Sequence, residues 1–207
     1  MQEFFINKAG AYLRYQDLPG DETPILFIHG LGCAGSFDYP EVAAQKSLTA
    51  HRRILIDLLG SGYSDKPSDF SYLVTDHAEC LRELVESLKL EHVVLVGHSL
   101  GGPVAIELAQ LCSGVVQQLI LTESNLDPST EGDVSYQIAR VSEEYFLREG
   151  YEKLIQESRE SGNAMWAGAL KNCFPPALYQ LSQNAARGGT TSWRNLLYDL
   201  VDSKLIS

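Results

Sequence analysis

Histidine is scarce in this chain, and none follows His98. The five present are His29, His51, His77, His92 and His98, so chemistry that needs an imidazole further downstream finds no donor within these 207 residues. Positive charge is short as well. Sixteen Lys and Arg stand against 27 Asp and Glu, giving a net charge of −11 and a pI near 4.8, which argues against nucleic acid or an anionic membrane as partner. No apolar run is long enough to span a bilayer. The stretch Met1–Lys8 has neither the basic start nor the long apolar segment of a signal peptide. The four cysteines, Cys33, Cys80, Cys112 and Cys173, form no C-x-x-C pair. They are expected to be reduced core thiols of a cytoplasmic protein rather than metal ligands. Internal repeats, low-complexity runs and disordered linkers are missing too.

What remains is an ordinary globular composition, 44% hydrophobic and 21% charged, in a chain that suits one domain with a substantial core. Residues 2–7 and 11–16 read as a hairpin around Lys8-Ala9-Gly10. Pro24 to Ile28 and Arg53 to Asp57 are short apolar runs with the character of buried parallel strands, ending in His29-Gly30-Leu31-Gly32 and in Gly60-Ser61-Gly62-Tyr63-Ser64. Phe37 to Leu48 is a weaker helix candidate. Over 74–89, Val74, Ala78, Leu81, Val85 and Leu88 recur at helical spacing, with Asp76, Glu79, Glu83 and Glu86 elsewhere. A strand at Val115–Leu121 runs into Thr122-Glu123-Ser124-Asn125. Strands alternating with helices predict an α/β fold whose sheet is largely parallel after the hairpin. Beyond Asp133 only helices are expected, near 134–148, 151–161, 175–186 and 191–202. Pro175-Pro176 would start the third of these and Gly188-Gly189 would end it.

The chain is organised around Val93-Val94-Leu95-Val96-Gly97-His98-Ser99-Leu100-Gly101-Gly102. A β-branched run stops at a glycine, a serine follows two positions on, and further glycines open a helix that carries Val104, Ala105, Leu108 and Leu111 and ends near Gly114. This is G-x-S-x-G in a strand–turn–helix context. The turn holds Ser99 strained at the carboxyl end of a strand and leaves the Leu100 amide free for a developing oxyanion. The plainer alternative is a serine that only caps the helix.

Three ordered stretches together resemble the landmarks of the α/β-hydrolase superfamily: His29-Gly30-Leu31-Gly32, Asp57-Leu58-Leu59-Gly60-Ser61-Gly62-Tyr63-Ser64-Asp65-Lys66-Pro67, and Gly97-His98-Ser99-Leu100-Gly101-Gly102. The resemblance covers residues 1–128, an incomplete hydrolase core, and 129–207 is similar to the helical cap or lid of that superfamily. It implies a mostly parallel sheet with an N-terminal hairpin, a helical cap and the last strands absent. It further implies Ser99 as nucleophile, the Leu31 and Leu100 N–H groups as oxyanion hole, and structural roles for His29 and Asp57. Two such donors each contribute about 3 kcal/mol to lowering the barrier. For the acid, the resemblance offers Glu123, just after the sixth strand, with Asp127 second and a residue beyond the chain third.

The base is missing. Its place in the order Ser, acid, His lies downstream of Ser99. Either the chain is a truncated form of a longer enzyme, or it keeps a binding pocket without catalysis. The apolar sixth strand, left as a sheet edge, favours truncation and offers a surface for homo-oligomer formation. The expectation is a serine hydrolase acting on a small-molecule, fairly apolar ester-like substrate with no cofactor and no metal. The alternatives are a non-catalytic ligand-binding protein and a cofactor-free haloperoxidase or C–C hydrolase.

Overall fold

A computed structural model describes residues 1–188 and 192–203. Six strands, β1 (Gln2–Ile6), β2 (Ala11–Leu18), β3 (Glu22–Ile28), β4 (His51–Asp57), β5 (Val93–His98) and β6 (Val116–Thr122), form one sheet in the order β1-β2-β4-β3-β5-β6. β1, β2 and β4 pair antiparallel, while β4, β3, β5 and β6 run parallel. The expected α/β class and hairpin are therefore present. Of the parallel strands, β3 and β4 carry continuous buried runs because their Leu, Ile and Phe side chains find cover on both faces. One face packs on α3 (Val74–Ser87) and α4 (Gly101–Leu111), the other on the short α1 (Gly35–Asp38) and α2 (Pro40–Ala43).

Several expected boundaries moved, each for a local reason. The helix expected over 37–48 is broken because Pro40 lacks an N–H and starts α2 afresh. α4 ends with Cys112 as its C-cap, and Gly114 does not take the left-handed conformation that a C′ glycine would. The helix expected over 134–148 is interrupted after α5 (Val134–Ala139) because the Ser142 hydroxyl accepts the Tyr145 N–H and caps α6 (Glu143–Tyr145). A π-helical turn, Phe146–Gly150, leads into α7 (Tyr151–Glu160). The seven-residue α8 (Ala164–Leu170), capped by the Asn163 side chain, was too short to show a period. α9 (Pro175–Arg187) ends at left-handed Gly188 as expected; Gly189 lies outside the described residues.

The described helices beyond residue 129 contribute to two apolar clusters. Ile138, Phe146, Tyr151, Ile155, Ala167, Leu170, Leu178 and Tyr179 form a separate apolar cluster. Ala177, Leu181 and Ala185 of α9, and Trp193, Leu196 and Leu200 of α10 (Trp193–Asp202), join the main core instead. α10 lies on α4, where the fully buried Trp193 indole donates to Glu107 Oε1 at 2.8 Å. The second cluster thus draws on α5, α7 and α8, in the interval expected to be a cap, while α9 straddles it and the core and α10 packs with the core.

β6 is the outer strand of the sheet among the described residues. Its apolar sequence suggested burial, yet only Val116 is buried; Leu119 and Leu121 are half-buried and Ile120 is 42% exposed.

Candidate active site

The turn after β5 is as tight as its sequence demands. A Cβ on Gly97 would sit 2.7 Å from the Gly101 carbonyl oxygen, and one on Gly101 would sit 2.4 Å from that of Ile28, so neither position admits a side chain. Ser99 between them has φ +49°, a left-handed conformation that costs a non-glycine residue on the order of 1 kcal/mol or more. The surroundings enforce it: the Ser99 N–H donates to the Thr122 carbonyl at 2.9 Å, tying the elbow to the end of β6.

Ser99 lines a cleft of about 770 Å³ at the carboxyl ends of the strands, together with Gly30, Leu31 and Leu100 from the core and Asn163, Met165 and Trp166 from α8 and its N-cap. Neither the Leu31 nor the Leu100 N–H has an acceptor among the described residues. Two residues with unpaired backbone N–H groups therefore line the same cleft as the Ser99 hydroxyl.

Around this cleft the Gly30–Leu31 turn is held rigidly. His29 is almost fully buried, with Nδ1 2.8 Å from the Gly30 carbonyl oxygen and Nε2 accepting the Leu58 N–H at 3.0 Å. Nε2 is thus unprotonated, and Nδ1–H donates. Burial holds this imidazole below its ordinary pKa despite the pull of Gly30 and Asp57, so His29 braces the turn and has no nitrogen left for proton transfer. Asp57 is fully buried and accepts from the Ser36 N–H and hydroxyl, both at 2.8 Å, and from the Tyr63 N–H at 2.9 Å. It gathers two loops beneath the cleft. Cys33, also lining it, has its thiol pushed up by burial and Asp38, which disfavours the thiolate.

Glu123 and Asp127, the two carboxyls expected as acid candidates, part company. Glu123 has φ +50°, is exposed and lines the cleft with Ser99. Asp127 lies outside the lining and is bound to Arg194 of α10, whose Nε donates to it at 2.9 Å; this guanidinium holds the Asp127 carboxyl below the usual range. No histidine nitrogen hydrogen-bonds Ser99. The His98 ring turns to Thr122, with Nδ1 3.1 Å from Oγ1. Instead, Ser99 Oγ donates to Asn125 Oδ1 at 3.2 Å. The sequence reading missed Asn125 as a neighbour of the serine; its signal was its place just past β6, the parallel neighbour of the elbow strand. It equally missed Trp166, whose indole N–H donates to the Leu31 carbonyl at 3.0 Å.

Among the described residues no cluster of His, Cys, Asp or Glu is arranged to hold a metal, and no helix is long and apolar enough to cross a membrane.

Comparison with known proteins agrees with this architecture. An uncharacterized protein of Mycobacterium tuberculosis is 40% identical over 115 residues, covering 55% of this chain and 32% of that protein. The Arabidopsis thaliana protein named "Probable lysophospholipase BODYGUARD 4" is 34% identical over 118 residues, 56% of this chain and 28% of its own. The aligned stretch covers about a third of the length of these curated relatives. The solved structure of an esterase from Exiguobacterium antarcticum superposes with a TM-score of 0.76 at 19% identity, covering 95% of this chain and 76% of that one. A family profile described as the alpha/beta hydrolase fold matches residues 23–189. With an elbow serine, a mostly parallel sheet and that match over most of its length, the chain belongs to the α/β-hydrolase fold family.

Proposed function

We propose that Ser99 is the nucleophile of a serine hydrolase acting by acyl transfer on small or medium, fairly apolar esters. The observation that carries this reading is the strained Ser99 sharing one cleft with the unpaired N–H groups of Leu31 and Leu100. Ser99 Oγ attacks the ester carbonyl carbon as its proton passes to a base, and the carbonyl oxygen becomes an anion held by the two N–H groups. Collapse of this intermediate breaks the C–O bond, and the alcohol leaves with the proton from the base. Water, deprotonated by the same base, then releases the acid and restores the serine. The base is a histidine supplied from outside these 207 residues, with Glu123 orienting it. This is supported by the lack of any histidine on Ser99 Oγ, by the open outer edge of β6, and by curated relatives whose length the aligned stretch covers only to about a third. Four free cysteines support a reducing, cytoplasmic setting.

Asp38, Glu123 and Asp133 line the cleft, and no Lys or Arg does among the described residues. This supports neutral or cationic substrates over anionic ones. A second reading, ligand binding without turnover, is favoured by the Ser99–Asn125 hydrogen bond, which leaves the hydroxyl occupied.

A fluorophosphonate probe separates the two readings. Covalent labelling followed by mass spectrometry is expected on Ser99 and is expected to vanish in Ser99→Ala. Probes of matched size are expected to label in the order cationic, neutral, anionic, spaced by up to about tenfold at low salt. Labelling that persists in Ser99→Ala removes the nucleophile assignment. Absence of labelling both in this chain and in a form extended to include a downstream histidine leaves the binding reading standing.

A further inference from the structure

We propose that Trp166, on cap helix α8, is a positioning residue for the Leu31 oxyanion donor, so that docking of the cap and assembly of the oxyanion hole are one event. The inference rests on the oxyanion role proposed above. Leu31 belongs to two peptide units, and each is held by a different part of the molecule. In the Gly30–Leu31 peptide, the Gly30 carbonyl oxygen lies 2.8 Å from His29 Nδ1 and accepts the Cys33 N–H at 3.3 Å. A planar trans peptide then directs the Leu31 N–H to the opposite side. In the Leu31–Gly32 peptide, the Leu31 carbonyl accepts the Trp166 indole N–H at 3.0 Å, across 135 residues of sequence. The core therefore fixes one side of Leu31 and the cap fixes the other.

The packing shows the same junction independently. Leu31 packs against both the main core and the cap cluster. Gly32 has φ +71°, and a Cβ there would lie 2.7 Å from Leu170 Cδ2 and 2.8 Å from Trp166 Nε1, so α8 is pressed onto the bare backbone of the turn. The same helix supplies Met165 and Trp166 to the cleft wall. A substrate leaning on that wall therefore touches the element that holds the donor.

The test uses Trp166→Phe, which keeps an apolar ring and removes the N–H. In a form extended to include the downstream histidine, the maximal rate of Ser99 phosphonylation by a neutral fluorophosphonate is expected to fall about tenfold, while the probe's half-saturating concentration stays within twofold. Leu154→Ala, which loosens the same apolar cluster but leaves the indole N–H in place, is expected to lower Tm without slowing phosphonylation. Equal slowing by the two variants, or no slowing by Trp166→Phe, overturns the proposal. Amide hydrogen exchange reads the junction without any chemistry at Ser99: the segment containing Leu31 and Gly32 is expected to exchange faster in Trp166→Phe. If wild-type Ser99 does not react even in that extended form, the hydrolase reading fails, whereas unchanged exchange in the variant fails this inference specifically.

Discussion

His77 is a residue whose surroundings cost the molecule stability in acid. It sits fully buried in α3, its ring edge-on to Phe70 with centroids 5.3 Å apart and tilted against Tyr72 at 6.0 Å. Its Nε2 has no hydrogen-bond partner. Burial, aided by nearby His29 and opposed by Asp76, lowers its pKa from 6.5 to about 3. The unfolded chain thus takes up a proton here near pH 6.5, whereas the folded chain does so only near pH 3. Stability is unaffected well above pH 6.5 and is lost as pH falls below it, by about 2 kcal/mol at pH 5 from this residue alone. Urea unfolding of His77→Phe at pH 7 and pH 5 is expected to show a difference smaller than wild type by about that amount. His29, also lowered by burial, contributes a remaining slope of the same sign. Periodicity in the sequence placed His77 on a helix. It could not tell whether the ring met water or two aromatic side chains.

At the scale of elements, helix ends show what local sequence leaves undecided. Leu73, the N-cap of α3, has no side chain able to accept a hydrogen bond. The Val74 N–H instead donates to Asn184 Oδ1 of α9 at 2.9 Å, with Asn184 itself buried. A cap supplied from 110 residues away substitutes for the Ser, Thr or Asp that usually stands there. Asn184→Ala is expected to destabilise the protein by about 1–2 kcal/mol in urea unfolding and to raise hydrogen exchange in the first turn of α3. Strands were the more legible elements, because short β-branched runs ending in glycine have few other homes in a globular protein. Helices were legible where an apolar face repeats over three turns, as in α3, and were lost in α8, where seven residues hold no full pattern.

For the whole molecule, the open side of β6 is the consequential feature. Ile120 is 42% exposed on a strand whose described neighbour is β5 alone, and such an edge is a template for a further strand. The 207-residue chain is expected to self-associate at micromolar concentrations in sedimentation velocity, and Ile120→Lys is expected to shift it toward monomer. If Ile120→Lys sediments like wild type at matched concentration, the pairing surface lies elsewhere. The division into core and cap is also a property at this scale. α9 contributes Leu178 and Tyr179 to the cap cluster and Leu181 and Ala185 to the core, so one helix with a single amphipathic pattern serves two clusters.

The sequence by itself determined the family and the elbow. The crowding at Gly97 and Gly101 and the strain at Ser99 arise within a few residues, where covalent geometry leaves little choice. The same locality made the order of strands and the His29–Gly32 turn readable. Only the tertiary structure decided what stands around Ser99. It placed Asn125 on the serine hydroxyl, tied Asp127 to Arg194 away from the cleft while leaving Glu123 at its rim, seated α10 on the core, and set the Trp166 indole on the Leu31 carbonyl. Each of these contacts joins residues 26 to 135 positions apart. Spacing along the chain records which face of an element is apolar, but not which distant element that face will meet.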